Sequence, residues 1–138
     1  MNDERTADRQ GREITPNETS PLVLAYLGDA YFELLTRERI IAECDCGVSE
    51  LSQKAMDYVT ALSQSAACEK LLPALTPEEE AAFKRGRNAK SNHNPRSAPV
   101  IDYRRATGLE ALFGWLYVRG EHERAIRLFN ICFPENKE

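Results

Sequence analysis

Apolar side chains recur at helical spacing along most of the chain. The first such stretch follows Ser20 and has a proline in its first turn, a combination typical of helix starts. It continues through PLVLAYLGDAYFELLTRERIIAE to about Glu43. Its first part is apolar on nearly every face, which predicts a central, buried helix rather than a surface helix.

The rest of the chain shows the same helical period, and no long stretch alternates between apolar and polar residues. The fold class that we predict is therefore all-α, with about six helices. Thr76 and Glu79 form a capping box, a sequence signature of a helix start. After the first helix, the predicted elements are a turn over 44–48, helices over 49–67, 64–72 and 76–87, a loop over 90–99, and helices over 101–120 and 121–133.

The length of 138 residues corresponds to one domain. We predict a flexible N-terminal tail over 1–18, a helical domain over 19–134 and a short C-terminal tail over 135–138. The chain has no apolar run long enough to span a membrane, and its N-terminus lacks the apolar core of a secretory signal. These absences favour a cytoplasmic protein with no membrane partner.

The four cysteines are too few for a disulfide scaffold. Cys44 and Cys46 form a C-x-C pair, whereas Cys68 and Cys132 lie in apolar helical stretches. We expect free thiols in a reducing cytoplasm.

Positive charge is concentrated in one segment. Residues 84–105 have a net charge of +6 in a chain whose total is −4, so the other residues together carry −10. A charge run is often only a solvated face. Here, however, cations alternate with Asn and Ser, which can hydrogen-bond phosphates and 2′-hydroxyls, so we favour contact with the backbone of an RNA duplex. The candidate RNA-binding residues are Lys84, Arg85, Arg87, Asn88, Lys90, Ser91, Arg104 and Arg105.

Two acidic residues lie where the apolar pattern predicts a core. Asp29 is the only charged residue within 22–32, and Glu110 is the only one within 106–118. A lone buried carboxylate costs several kcal/mol unless it is paired or bound to a metal. Each acid could cap a helix or pair with an arginine. Because both have glycine neighbours, which favour close helix packing, we prefer a shared hard-oxygen site for Mg²⁺.

These same stretches resemble ribonuclease III domains. LAYLGDAYFEL is similar to the catalytic signature helix of that family, and GLEALFGWLYV is similar to its second acidic helix. FKRGRNAKS, followed by a proline-bearing loop and YRRATGLEAL, resembles Mini-ribonuclease III, the small branch that consists of the catalytic domain alone. The resemblance covers about residues 20–133.

The resemblance implies a homodimeric, Mg²⁺-dependent endoribonuclease that cleaves double-stranded RNA and leaves 5′-phosphates, with Mn²⁺ as a substitute metal. Asp29 and Glu110 match the two acidic motifs, which implies that both are catalytic and metal-binding. The implied substrate is precursor 23S ribosomal RNA, with ribosomal proteins as candidate partners. An apolar surplus on the second acidic helix, including Phe113, Trp115 and Leu116, fits either the core or a dimer contact.

The chain departs from the wider family pattern at two positions. Ala25 and Thr107 stand where that pattern has further acids, so the number of metals per site stays open. Small-branch sequences also often have a lysine near Leu62, which this chain lacks. Two other classes of protein remain: a catalytically weak or inactive RNA-binding factor in ribosome assembly, and a helical domain unrelated to RNA. The basic segment argues against the second of these.

Overall fold

The computed structural model describes residues 11–89 and 99–135. Every regular element within these ranges is helical, which confirms the predicted fold class, and none of these helices is long and apolar enough to cross a membrane. The elements are α1 (Pro21–Glu43), α2 (Val48–Val59), α3 (Ala61–Leu71), a 3₁₀ turn (Leu72–Ala74), α4 (Pro77–Asn88), α5 (Val100–Val118) and α6 (His122–Cys132).

Helix α5 is the centre of the fold and packs against α1, α3, α4 and α6. Between residues 106 and 116, every residue of α5 except Glu110 is buried. The Phe113 ring meets the ring of Phe32 from α1 edge-on at a centroid distance of 5.2 Å. The apolar surplus of this helix is therefore used in the protomer's own core.

Glycines allow α1 and α4 to approach α5 closely. A Cβ atom on Gly28 would lie 1.7 Å from the carbonyl oxygen of Glu110, and one on Gly114 would lie 2.0 Å from a carbonyl oxygen of α1. On the other side of α5, a Cβ on Gly86 would lie 2.4 Å from that of Ala111. Because atoms cannot approach so closely, both helix crossings require glycine. The sequence predicted this close approach for α1 and α5 only.

The boundary between α2 and α3 differs from the prediction. The helix expected over 49–67 breaks at Thr60, whose hydroxyl accepts a hydrogen bond from the Ser63 N–H at 3.2 Å. Gly47, rather than Ser49, is the N-cap of α2. A local hydroxyl cap thus overrides a helical apolar pattern that continues across the break.

The predicted capping box at the start of α4 is present and is joined to α6. Glu79 is almost fully buried, and both of its carboxylate oxygens accept hydrogen bonds of 2.8 Å from Arg124. Burial alone would raise the pKa of Glu79, but the hydrogen bonds from Arg124 and Thr76 hold this pKa below its usual value. This network fixes α4 against the end of the α5–α6 hairpin.

The cysteines form two unlike pairs. Cys68 and Cys132 are buried free thiols, and burial raises the pKa of each to about 12. Cys44 and Cys46 form a disulfide in the α1–α2 connection, where their Cα atoms are 5.4 Å apart. The expectation of free thiols is confirmed for the buried pair. It is wrong for the C-x-C pair, because the connection brings these Cα atoms within disulfide distance.

The predicted N-terminal tail over 1–18 contacts the domain near its end. The indole N–H of Trp115 donates a hydrogen bond of 3.2 Å to the side-chain oxygen of Asn17. The division of the chain into two tails and a domain stays a prediction.

Candidate active site

The two predicted acids are in contact where α1 crosses α5. Gly28 packs against the backbone of Glu110, and this close approach brings the Asp29 and Glu110 carboxyl groups within hydrogen-bonding distance. Asp29 is exposed to solvent, and Glu110 is half-buried. The structure therefore joins the acids to each other, as the shared-site hypothesis requires, and the expectation that Asp29 is buried is wrong.

The environment of Glu110 disfavours its ionised form unless a positive charge is nearby. Burial, followed by the hydrogen bond and the negative charge of Asp29, raises the pKa of Glu110 to about 9. Glu110 is therefore protonated at neutral pH when no cation is present, and its O–H donates to the Asp29 carboxylate. A divalent cation can replace the shared proton and remove the repulsion, so this pair of oxygen donors fits Mg²⁺.

The positions one turn before each acid carry no charge. Ala25 and Thr107 are both buried. The hydroxyl of Thr107 donates a hydrogen bond of 3.0 Å to the Tyr103 carbonyl oxygen. Neither residue adds a carboxylate, so Asp29 and Glu110 remain the two predicted acids that meet here among the residues that the structure describes.

The candidate RNA-binding residues are gathered by the antiparallel packing of α4 against α5. Glu78, at the start of α4, forms an ion pair of 3.8 Å with Arg119, just beyond the end of α5. Gly86, near the end of α4, meets residues 107–111 instead. The last turn of α4 therefore lies beside the first half of α5. The predicted residues on these two segments, which we call the basic surface, are Lys84, Arg85, Arg87, Asn88, Arg104 and Arg105.

Two cations of the basic surface have acidic partners. Lys84 forms an ion pair of 2.9 Å with Glu80, and Arg105 forms one of 3.6 Å with Glu69. The acids of both pairs are exposed. Ion pairs of this kind contribute little to stability, so an RNA phosphate can replace the carboxylates at small cost.

The other residues of the basic surface are more varied. Arg85 and Arg104 are exposed. Arg87 is half-buried, with its guanidinium 6.0 Å from the centroid of the Phe83 ring, and its Nε donates a hydrogen bond of 3.0 Å to Asn88. The predicted contacts that lie outside the described residues are Lys90 and Ser91.

The sequence did not reveal an exposed apolar stripe beside Asp29. At 100° per residue, six exposed positions of α1 fall within an arc of about 80°, and all but Arg37 are apolar. Tyr26, which is 84% exposed, lies on the side of this arc nearest Asp29. The prediction that α1 is buried on nearly every side is wrong for this stripe, which we call the apolar face of α1: Val23, Tyr26, Ala30, Leu34 and Ile41.

Comparison with known proteins decides the family. Residues 22–121 match the family described as Ribonuclease III domain. The chain is 44% identical over 113 residues to the Mini-ribonuclease 3 of Symbiobacterium thermophilum. The aligned region covers 82% of this chain and 87% of that protein. The chain belongs to the Mini-ribonuclease 3 branch of the ribonuclease III family. A second Mini-ribonuclease 3, from Brevibacillus brevis, is 43% identical over 126 residues, or 90% of this chain and 94% of the relative.

A solved structure agrees with this family assignment. The crystal structure of a protein from Fusobacterium nucleatum matches with a TM-score of 0.74 and 33% identity, over 83% of this chain and 91% of that chain. The predicted ribonuclease III-like fold and the enzyme class, an endoribonuclease of this family, are confirmed. The roles of individual residues stay predictions.

Proposed function

We propose that this member of the ribonuclease III family cleaves double-stranded RNA in a Mg²⁺-dependent reaction centred on Asp29 and Glu110. The observation that carries this proposal is the contact between the two carboxyl groups at the α1–α5 crossing. The raised pKa of Glu110 supports it, because a group that retains its proton to about pH 9 gains from a bound cation.

Asp29 and Glu110 would hold the cation through their carboxylate oxygens. When bound, the metal supplies an activated water and offsets negative charge on the reacting phosphate. Mn²⁺, which also accepts oxygen ligands, is the proposed substitute. Because Asp29 is exposed, a duplex could reach the cation, and half-buried Glu110 would hold the cation next to the central helix α5. The proposed products carry a 5′-phosphate and a 3′-hydroxyl.

The basic surface would bind the RNA backbone. Arg104 and Arg105 precede Glu110 on the same helix by five or six residues, or about 9 Å along the helix axis. Because these arginines are displaced from Glu110 along the axis and around the helix, contact with both regions requires an extended ligand such as a duplex rather than a single phosphate. Contacts to phosphates and 2′-hydroxyls without base contacts favour recognition of duplex shape.

A second copy of the chain is the proposed occupant of the apolar face of α1. Tyr26, Val23, Leu34 and Ile41 are each more than half exposed, and Arg37 is the exposed charged residue among them. Exposed apolar side chains grouped in this way mark interaction surfaces. Because Asp29 borders this face, a two-fold dimer would hold two acidic pairs near the same seam, one for each RNA strand. The apolar surplus of α5 does not support the dimer, since its residues fill the core.

The resemblance to Mini-ribonuclease III supports precursor 23S ribosomal RNA as the biological substrate. With it we propose a cytoplasmic site of action, and ribosomal proteins as further partners. Local cation density at the basic surface in an otherwise acidic chain is consistent with a nucleic-acid partner of this kind.

The decisive experiment is Mg²⁺-dependent cleavage of a perfect RNA duplex by the wild type, Asp29→Asn and Glu110→Gln. We expect each variant to lose at least about 100-fold in rate, because even the loss of an outer-shell partner of a metal ligand can cost this much. Binding of the duplex without metal should be nearly unchanged. Glu33→Gln is the matched control, since Glu33 lies one turn after Asp29 on α1 and pairs with Arg37 at 3.0 Å.

Cleavage by either acid variant at the wild-type rate would contradict the assignment of the site. If the wild type binds the duplex but cuts it under no metal condition, the protein is instead an RNA-binding factor in ribosome assembly.

The basic surface can be tested separately through the salt dependence of RNA binding. Arg104→Gln should weaken binding to duplexes of every sequence and lower the slope of affinity against salt by about one counterion. Arg127→Gln, a change of an exposed arginine on α6, is the control. Equal effects of the two variants would show that only total charge matters and would refute the assigned surface.

A further inference from the structure

A second group of metal-ligating side chains lies outside the acidic site, in the α1–α2 connection. The sulfur atoms of Cys44 and Cys46 and a carboxylate oxygen of Glu50 all lie within 4.8 Å of one another. The two cysteines are half-buried, and Glu50 is exposed. Within the described ranges, no other group of three such ligands meets this distance limit.

The backbone holds these three side chains together. Cys44 ends α1 in an extended conformation, with its N–H bonded to the Ile40 carbonyl oxygen at 3.0 Å. Cys46 immediately precedes Gly47, the N-cap of α2, and Glu50 lies in the first turn of that helix. Both ends of the three-ligand group are therefore anchored on regular helices rather than on a free loop.

The electrostatic setting favours anionic ligands. Gly47 provides no side-chain cap, so the first N–H groups of α2 face the connection without a hydroxyl or carboxylate cap. The positive end of a helix dipole stabilises thiolates and carboxylates placed there. Cys68 and Cys132 have the opposite setting, because burial raises the pKa of each to about 12.

We propose that, when the Cys44–Cys46 disulfide is reduced, Cys44, Cys46 and Glu50 bind one Zn²⁺ ion. Zn–S bonds of about 2.3 Å in a tetrahedral site place two sulfurs about 3.8 Å apart. The Cα atoms of Cys44 and Cys46 are 5.4 Å apart, so rotation of the two side chains would bring the sulfurs to this separation after reduction. Thiolates select Zn²⁺ over Mg²⁺, whereas the Asp29–Glu110 pair offers only hard oxygens. Three protein ligands leave the fourth position for water.

Disulfide formation and metal binding exclude each other, because the same sulfur electron pairs are used. A phosphine reductant opens the disulfide with one water molecule, giving two thiols and the phosphine oxide. Zn²⁺ then binds both sulfurs and displaces the two thiol protons to solvent. The site is therefore a property of the reduced protein and is independent of the RNA-cleaving site.

Co²⁺ is the probe, because thiolate ligation gives it a near-ultraviolet charge-transfer band that carboxylate ligation does not. In the full-length protein reduced with a phosphine, we expect one Co²⁺ per chain with this band, and displacement of the Co²⁺ by Zn²⁺. The oxidised protein should show no band. A reduced wild type that shows no band at saturating Co²⁺ would overturn the proposal.

The variants assign the ligands. Cys44→Ser and Cys46→Ser should each lose the two-thiolate spectrum, and the double variant should lose the band entirely. Glu50→Gln should weaken Co²⁺ and Zn²⁺ binding at least about tenfold, the lower end of the loss for an outer-shell partner. Asp57→Asn, a change of an exposed acid on the same helix two turns later, should bind like the wild type. A band that survives in the double variant, or equal losses from Glu50→Gln and Asp57→Asn, would refute the site.

Discussion

Helices α1 and α5 have nearly the same sequence character but opposite surroundings. Each contains a stretch, 22–32 in α1 and 106–118 in α5, that is apolar around a single acid, and the two helices cross at paired glycines. Helix α5 is covered by four other helices, and the middle of the helix is buried except at Glu110. Helix α1 instead leaves Tyr26, Leu34 and Ile41 more than half exposed.

This difference shows that an apolar pattern indicates which side chains favour burial but not which surface covers them. The apolar side chains of α5 are covered inside the protomer, so Glu110 is half-buried and its pKa is raised. For α1 one face is left over, and its acid stands at the edge of that face. The proposed active site thus lies where a core helix meets a helix that still has apolar surface to cover.

The largest effect is expected where the two helices touch. Gly28→Ala would place a methyl group 1.7 Å from the Glu110 carbonyl oxygen, so α1 and α5 must move apart. We expect a loss of more than about 4 kcal/mol in the free energy of unfolding, measured by denaturant titration. Gly47→Ala, where nothing lies within 4 Å, should cost no more than about 1 kcal/mol, the usual cost of alanine at an N-cap. Similar losses from both changes would mean that the crossing is looser than described.

The contrast in burial can be tested with one leucine from each helix. Leu112→Ala removes a side chain with no exposed surface and should cost about 2–5 kcal/mol. Leu34→Ala removes a side chain that is 52% exposed and should cost less than about 1 kcal/mol at a protein concentration below the dissociation constant of the proposed dimer. Thermal or denaturant unfolding at two protein concentrations checks both values. Equal costs in dilute solution would contradict the contrast.

The proposed role of the apolar face of α1 can be tested at Tyr26. Tyr26→Ala should raise the dimer dissociation constant at least about 30-fold, because a buried tyrosine at an interface is commonly worth about 2 kcal/mol or more. Analytical ultracentrifugation over a range of concentrations measures this change. Val48→Ala, at a residue of α2 that is 78% exposed, is the control. A wild type that stays monomeric at every concentration, or an equal effect of the control, would refute the apolar face of α1 as the dimer interface.

The smallest effect is expected from the pH dependence of stability. The folded-state pKa of Glu110 is about 9 and its ordinary value is 4.5, so the folded state binds the proton more tightly than the unfolded state does. The contribution of the Glu110 proton to the free energy of unfolding is complete below about pH 4.5 and is lost as the pH rises towards about 9. In metal-free protein near the upper limit, Glu110→Gln should therefore be more stable than the wild type by about 1–3 kcal/mol.

Denaturant titrations across this pH range, with and without Mg²⁺, measure the effect. Mg²⁺ should restore the stability of the wild type but not add to that of Glu110→Gln. A wild type whose stability does not change with pH relative to this variant would show that Glu110 is not the perturbed group.

The elements with local chemical signatures were predicted well. Pro21 starts α1, the Thr76–Glu79 capping box starts α4, and Gly120, with a φ of 74°, follows the end of α5 as expected of a helix stop. The boundary between α2 and α3 was predicted near residues 64–67 instead of at Thr60, because the apolar pattern continues past the hydroxyl cap that Thr60 provides. The approach of Asp29 to Glu110 was predicted only as one of two alternatives.

The sequence by itself determined the helical class, the family motifs and the two acids, because period, caps and charge are properties of neighbouring residues. Only the tertiary structure decided that the acids touch, that α5 is covered and the face of α1 is not, and that Cys44 and Cys46 meet Glu50. These outcomes depend on how closely helices distant in sequence approach. At the α1–α5 crossing this distance is set by the absence of a Cβ at Gly28 and Gly114.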